Sequence, residues 1–240
     1  FWAVAKLGVV VVPLSPMLRG SGLSRLLNDS DSVAVITNAD FVPELDKIRG
    51  ELVNIMPERF ILIDGALDGY QDYHKLTAVA PDTEPPTIDI HEEDPYNIIY
   101  SSGTTGLPKG AILTHANMTW NATNTVMSWG LDQTDVAILN APLFHTGGLN
   151  VFTLPLIHIG GRSIVCKTFD VDQVFDLATN GGVTVFFGVP TMFVMMQGHP
   201  RWSEADFSRL KIVISGGAPC PLPVFEKFWA KDVDFKTGYG

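Results

Sequence analysis

The residues between positions 101 and 110 read SSGTTGLPKG and concentrate hydroxyl, glycine and lysine chemistry in one short run. Gly103 and Gly106 allow the backbone to turn until its N–H groups converge on an anion. Lys109 adds a mobile positive charge, and Pro108 stiffens the approach to it. Hydroxyl donors at the same place come from Ser101, Ser102, Thr104 and Thr105. The run therefore predicts a loop that holds a phosphate chain, and a plain surface loop is the less favoured interpretation.

The spacing of this run differs from that of a Walker A loop. That motif requires G-x-x-x-x-G-K-S/T. Counting from Gly103, Pro108 stands where the second glycine belongs, and Gly110 stands where the hydroxyl residue for magnesium belongs. An ordinary P-loop kinase or NTPase is therefore disfavoured.

Two further segments could contribute to a site. His145 follows an apolar run at 136–139, and a histidine in such a place is more often structural than catalytic. Gly216 and Gly217 follow the apolar run 212–214, where bare backbone could lie against a flat base. In open α/β sheets ligands bind outside the carboxyl ends of strands, but a plain strand–helix turn is an equal alternative from residue types alone.

The elements that must position these residues alternate between short β-branched runs and amphipathic stretches. Several runs are apolar on both faces, which is typical of strands buried between helix layers. Predicted strands cover residues 9–12, 33–37, 60–63, 97–100, 136–139, 163–166, 184–187, 211–214 and 233–235. Predicted helices cover 41–56, 115–128, 170–179 and 221–230, with Thr114 and Asp170 as N-caps. The alternation predicts an α/β fold with mainly parallel sheets.

Composition limits the class of protein. The chain has 240 residues, 46% of them apolar, and a formal net charge of -10. This apolar content disfavours disorder, and the acidic charge argues against a nucleic-acid surface. Two cysteines fit a cytoplasmic setting, and no apolar run reaches the ~20 residues of a spanning helix. A polar, proline-rich stretch at 81–95 is the predicted connection between a first αβ subdomain, 1–80, and a second, 96–240.

Several segments together resemble the adenylate-forming superfamily, which contains acyl-CoA synthetases, luciferases and the adenylation domains of peptide synthetases. SSGTTGLPKG is similar to its signature loop, and PLFHTGG at 142–148 to its aromatic and histidine motif. SGGAP at 215–219 resembles its adenine-contacting turn, and TGYG at 237–240 the start of its next motif. Two weaker matches lie at 6–16 and 188–191. Six matches in the family's order extend along nearly the whole chain.

The resemblance implies roles for individual residues. It implies an acyl-CoA synthetase-like N-terminal domain that is incomplete, with Lys109, His145 and Thr104 as catalytic residues and Thr104 as a Mg²⁺ ligand. It implies an acyl or coenzyme A pocket at His145, Thr146, Gly147, Gly148, Val189 and Pro190. It implies ATP and AMP contacts at residues 101–106 and Lys109, and at Gly216, Gly217, Ala218, Pro219, Gly238, Tyr239 and Gly240.

The implied reaction consumes ATP, a carboxylic acid and coenzyme A, with Mg²⁺ on the phosphates. A carboxylate attacks the α-phosphorus to give an acyl-adenylate and pyrophosphate, and a thiol then displaces AMP. A methionine-rich region after residue 185 favours a fatty or aryl acid over an amino acid. We expect a cytoplasmic protein or one peripheral at a membrane. Because further family motifs would lie past residue 240, we expect little activity from these residues alone. A non-catalytic nucleotide-binding module derived from the same fold is the alternative.

Overall fold

The computed structural model describes residues 1–101 and 107–238. Contacts between residues divide the chain into two compact units, Phe1–Leu113 and Thr114–Gly240. The sequence-based division at 81–95 lies earlier in the chain and stays a prediction. The contacts keep the strand before the glycine-rich run and the strand after it in the first unit.

The first unit contains two small sheets. Its strands are β1 (Val35–Thr37), β2 (Phe60–Leu62), β3 (Gln71–Asp72), β4 (Pro95–Ser101) and β5 (Lys109–Thr114, which reaches the second unit's first residue). Its helices are α1 (Trp2–Ala5), α2 (Gly20–Asp29), α3 (Val42–Ile48) and α4 (Tyr73–Val79). The first three strands form a parallel sheet in the order β1-β2-β3, and β4 pairs with β5.

Two sequence predictions in the first unit are corrected. The helix predicted over 41–56 is only α3, because the chain tightens into a 3₁₀ turn at Arg49–Glu51 around Gly50. The strand predicted over 9–12 is a single parallel bridge between Val11 and Asn97. The parallel arrangement predicted for β1 and β2 is confirmed, and the core between this sheet and α2 and α3 contains Leu27, Leu45, Ile48 and Phe60.

The second unit is built on a five-stranded parallel sheet. Its strands are β6 (Val136–Leu139), β7 (Arg162–Val165), β8 (Val185–Gly188), β9 (Ile212–Ser215) and β10 (Phe235–Thr237), in the order β10-β9-β8-β6-β7. Its helices are α5 (His115–Trp129), α6 (Thr146–Gly148), α7 (Leu154–Ile159), α8 (Val171–Thr179), α9 (Pro190–Gly198) and α10 (Leu222–Trp229). A π-helical turn, Leu149–Thr153, joins α6 to α7.

Helices cover both faces of this sheet. One face carries Ile138, Phe186 and Val213 and packs on α8, α9 and α10 through the cluster that contains Phe175, Phe193 and Phe228. The opposite face carries Ala137, Val185 and Ile212 and packs on the α5 side and α7 through Leu131, Phe152 and Leu156. Burial on both faces explains why β6, β8 and β9 read as continuous apolar runs.

Local signals set the helix ends that the sequence predicts. Thr114 accepts a hydrogen bond from Asn117 N at 3.2 Å and forms a capping box at the start of α5. Asp170 accepts from Gln173 N at 2.8 Å at the start of α8. Both predicted N-caps are confirmed. Within residues 1–101 and 107–238, no helix combines the length and the apolar content needed to cross a membrane.

Candidate functional site

The order of strands in the second unit places a switch in chain direction between β6 and β8. These strands are hydrogen-bonded neighbours, but the chain leaves them toward opposite faces of the sheet. After β6 it passes through α6 and α7 on one face, and after β8 it passes through α9 on the other. Such a switch in direction is where open α/β sheets bind ligands, at the carboxyl ends of the strands. The His145 and Gly216 segments both follow carboxyl ends at this edge.

The segment after β6, residues 140–148, is a tightly bonded turn that we call the His145 turn. His145 N donates to Pro142 O at 3.2 Å, and Gly148 N donates back to His145 O at 3.1 Å. A side chain at Gly148 would collide with the Pro142 carbonyl, so only glycine fits there. The exposed His145 ring accepts a hydrogen bond at Nδ1 from Gly147 N at 3.0 Å. Neutral His145 therefore carries its proton on Nε2 and can donate from that atom.

The second turn at this edge begins at the last residue of β9 and covers residues 215–219, and we call it the glycine turn. Gly216 N donates to Gly188 O at 3.2 Å, and Gly238 N donates to Ser215 O at 2.8 Å. Gly217 has a positive φ of 80° and lies beside Val189. The structure thus brings together Gly216, Gly217, Val189 and Gly238, which the sequence predicts as site residues. Tyr239 and Gly240, predicted as their companions, lie outside the described residues.

Two buried polar side chains at the same edge were not singled out from the sequence. Asn140 follows β6 and is 8% exposed, and Ser215 ends β9 and is fully buried. Neither the Asn140 side-chain amide nor the Ser215 hydroxyl finds a hydrogen-bond partner in the described part of the chain. Such orphaned groups are rare in folded proteins and are expected where a ligand binds. A polar residue directly after four fully apolar strand residues was the signal that could have identified Asn140.

The predicted phosphate loop is described only at its ends. Ser101 closes β4 and Lys109 opens β5, and both are exposed. Ser102, Gly103, Thr104, Thr105 and Gly106 lie outside the described residues. Before the loop, the Tyr100 hydroxyl donates to Asp29 at 2.6 Å. Burial of the phenol, together with this carboxylate, raises the pKa of Tyr100 well above its usual value, so Tyr100 is neutral at physiological pH.

The apolar region after residue 185 divides between two layers. Phe186, Phe193 and Met196 are fully buried in one core cluster, whereas Phe187 points to the opposite face. The side chains of the first three residues are therefore occupied by core packing. Val189 lies partly exposed beside Gly217, and Pro190 is the buried first residue of α9.

A search of residues 1–101 and 107–238 finds no cluster of three or more His, Cys, Asp or Glu side chains able to hold a metal ion. Thr104, the predicted Mg²⁺ ligand, lies outside that part of the chain. A shallow depression of about 340 Å³ in the first unit contains none of the predicted site residues. It is lined by Ala66, Leu67, Asp68, Tyr70, Gln71, Asp72 and Lys75.

Known proteins are similar to this chain in both sequence and fold. The chain is 34% identical to a feruloyl-CoA synthase from Amycolatopsis sp., over all of this chain and 45% of that protein. It is 31% identical to an indoleacetate–CoA ligase from Aromatoleum aromaticum, over all of this chain and 46% of that protein. The crystal structure of ATP-bound MatB from Rhodopseudomonas palustris matches with a TM-score of 0.84 and 28% identity, over 98% of this chain and 46% of that one.

The chain thus spans about half the length of the curated relatives it matches. A family model described as AMP-binding enzyme matches it over residues 1–240. That match covers every segment from which the resemblance was inferred, including the His145 turn and the glycine turn. The chain belongs to the AMP-binding enzyme family, whose members among its relatives include CoA ligases and synthetases.

Proposed function

We propose that the protein containing this chain activates a carboxylic acid with ATP and transfers the acyl group to coenzyme A. In the first step a carboxylate oxygen bonds to the α-phosphorus and pyrophosphate leaves. In the second step the thiol sulfur bonds to the acyl carbon, AMP leaves, and the thiol proton is released. The observation that carries the proposal is the family match over residues 1–240.

Lys109 and the hydroxyl-rich loop are proposed to bind the triphosphate. Lys109 is the exposed first residue of β5, so its ammonium group is accessible to a ligand. A charge held beside the phosphates would stabilise the negative charge that shifts onto pyrophosphate. Ser101, Ser102, Thr104 and Thr105 would supply hydroxyl donors, and Gly103 and Gly106 backbone donors.

The turns at the carboxyl edge of the second unit are proposed to bind adenosine and the acyl group. His145, with its proton on Nε2, would donate a hydrogen bond to the reacting carboxylate or the α-phosphate. Thr146, Gly147 and Gly148 would border the path of the acyl group or coenzyme A. The backbone of Gly216, Gly217, Ala218 and Pro219, with Gly238, Tyr239 and Gly240, would contact the adenine.

Mg²⁺ would neutralise charge on the phosphates when bound, and Thr104 is proposed as its ligand from this chain. Thr104 itself lies outside the described residues. A cytoplasmic location, free or peripheral at a membrane, completes the proposal, since two free cysteines fit a reducing compartment.

An aryl or fatty acid is proposed as the substrate. Two relatives that cover the whole chain are named for the aromatic acids ferulate and indoleacetate. A panel containing ferulate, indoleacetate, octanoate and palmitate, assayed by pyrophosphate release, distinguishes the two classes. Amino acids serve as the control class, and their selective activation would contradict this part of the proposal.

Lys109→Ala tests the assignment of the phosphate loop in the protein containing this chain. We expect adenylation to slow by about 100-fold, the usual effect of removing one electrostatic donor, without a loss of folded protein. Lys47→Ala is the matched control, since Lys47 is an exposed lysine of the same unit that pairs with Glu44 on α3. Adenylation kinetics of Lys109→Ala equal to those of Lys47→Ala would remove Lys109 from the mechanism.

The alternative, a nucleotide-binding module without chemistry, makes a different prediction. ATP would then bind with an affinity that depends on Lys109, but no acid in the panel would stimulate pyrophosphate exchange. We further propose that residues 1–240 alone have little activity, because they span under half of the relatives' length. Acid-dependent pyrophosphate exchange by the isolated 240-residue chain would refute that last point.

A further inference from the structure

Phe187 is the last large side chain of β8 on the face that carries the π-helical turn, and it is 8% exposed. The strand register pairs it with Ile214 on β9, so it lies one residue before the carboxyl edge at Gly188. Its ring therefore lies directly beneath the sheet edge that carries the His145 turn and the glycine turn.

The ring contacts both turns at glycine positions. A methyl group added at Gly147 would lie 2.9 Å from Phe187 Cζ and 3.0 Å from Cε1. A methyl group added at Gly216 would lie 3.0 Å from Cε2 and 3.5 Å from Cζ. The Cε1–Cζ side of the ring faces Gly147 and the Cε2–Cζ side faces Gly216, so one ring fills the space that a side chain at either glycine would need. Both turns thus rest on a single aromatic spacer.

Gly147 also connects the spacer to the histidine. Its N–H donates to His145 Nδ1 at 3.0 Å, and a methyl group there would lie 3.3 Å from the same nitrogen. Gly147 therefore lies between the Phe187 ring and the nitrogen whose hydrogen bond selects the Nε2–H form of His145. The contacts form a chain in the order Gly216, Phe187, Gly147 and His145.

We infer that Phe187 is a positioning residue that sets the distance between the glycine turn and the donor atom of His145. This role rests on the proposed function, in which these turns bind adenosine and the reacting carboxylate. Phe187 acts through Gly147 and Gly216, and the ligand that it serves is an acyl-adenylate held across the two turns.

A cycle of paired substitutions tests this in the protein containing this chain. We expect Gly147→Ala and Gly216→Ala each to lower kcat for adenylation by about 100-fold, because misplacement of about 1 Å costs that much. Phe187→Leu, which removes the ring edge, is expected to raise kcat at least tenfold when it is added to either glycine variant. Phe186→Leu is the matched control, since Phe186 lies on the other face of the same strand and is fully buried in its core. It is expected to lower the melting temperature at least as much as Phe187→Leu and to restore nothing.

Effects that simply multiply in the double variants, or equal rescue by Phe186→Leu, would overturn the inference. A second measurement keeps it separate from the proposed function. The ¹⁵N chemical shifts of the His145 imidazole report the Nε2–H form directly, and we expect Gly147→Ala to lower its population and Phe187→Leu to restore it. If no acid is activated but the tautomer follows this pattern, the proposed function fails and the positioning role stands. If the tautomer is unchanged in all variants, the positioning role fails whatever the activity.

Discussion

Buried polar groups have partners at the amino-terminal ends of β6, β8 and β9, whereas two at the carboxyl-terminal ends of β6 and β9 have none among the described residues. At the amino-terminal end, Asp135 precedes β6, Thr184 precedes β8 and Lys211 precedes β9. The Asp135 carboxylate is 3% exposed, and it accepts from Thr184 Oγ1 at 2.7 Å and from Lys211 Nζ at 3.0 Å. Thr184 Oγ1 in turn accepts from Val136 N at 3.0 Å. The polar atoms at this end satisfy one another.

At the carboxyl-terminal end of the same strands, Asn140 and Ser215 keep polar atoms buried without a partner in residues 1–101 and 107–238. Glycines replace side chains between them, at Gly188 and Gly216. The difference makes the carboxyl ends of β6 and β9 the better candidates for polar groups that bind a ligand. Substitutions at the two ends should therefore separate stability from activity.

The largest effect on stability is expected from Lys211→Met. This change leaves the buried Asp135 carboxylate without its cation, which costs about 3 kcal/mol in the free energy of unfolding. Lys236→Met is the control, because Lys236 pairs with Asp234 at a half-exposed site and should cost under about 1 kcal/mol. Urea unfolding measures both. Equal losses for the two variants would show that the amino-terminal network contributes no special stability.

Thr184→Val is expected to cost about 2 kcal/mol, because it leaves Val136 N–H and one Asp135 oxygen unsatisfied at a buried site. Thr123→Val removes a hydroxyl whose exposed hydrogen bond goes to the Thr119 carbonyl within α5, and it should change stability by under about 0.5 kcal/mol. The same unfolding experiment applies. A Thr184 variant as stable as the Thr123 variant would contradict the contrast between the two ends.

Ser215→Ala tests the opposite end. We expect the free energy of unfolding to change by under about 0.5 kcal/mol, since the hydroxyl has no described partner to lose. Adenylation in the protein containing this chain is expected to fall about tenfold, the value of one hydrogen bond to a ligand. A stability loss as large as that of Thr184→Val, with unchanged activity, would mean that Ser215 belongs to the scaffold.

The smallest effect is a pH dependence. Burial opposes the charge of Lys211, but the hydrogen bond and charge of Asp135 outweigh it and raise the pKa of Lys211. The folded state then holds this proton more tightly than the unfolded chain does. The stabilisation is complete below about pH 10.4, the unfolded value, and is lost as pH rises through the folded pKa. Urea midpoints between pH 9 and 11 should fall more in the wild type than in Lys211→Met, and parallel curves would exclude the linkage.

The sequence predicts some elements well because their signals are local. The strand β6 has the predicted bounds, and Thr114 and Asp170 cap the predicted helices by accepting from backbone N–H groups three residues further on. Apolar runs without alternation predicted a sheet covered on both faces, and the two core clusters confirm it. Such features can be predicted because they depend only on residues that are close in sequence and on whether a run is apolar throughout.

The helical path from Thr146 to Ile159 was not predicted. Two glycines at 147 and 148 and a proline at 155 argue against a helix locally. In the structure, packing of Leu149, Phe152 and Leu156 against the sheet overrides these propensities, and the path accommodates the strain as a π-helical turn. This element depends on tertiary contacts, and their strength cannot be inferred from the sequence alone.

The sequence by itself determined the chemistry that is present and its order along the chain: a hydroxyl and lysine loop, a histidine turn and a glycine turn. Only the tertiary structure decided which of these meet. The strand order places β8 between β6 and β9, and so puts the Phe187 ring between Gly147 and Gly216. Residues about 30 to 40 positions apart come together through hydrogen-bonded register, which depends on the whole sheet and cannot be read from any one segment.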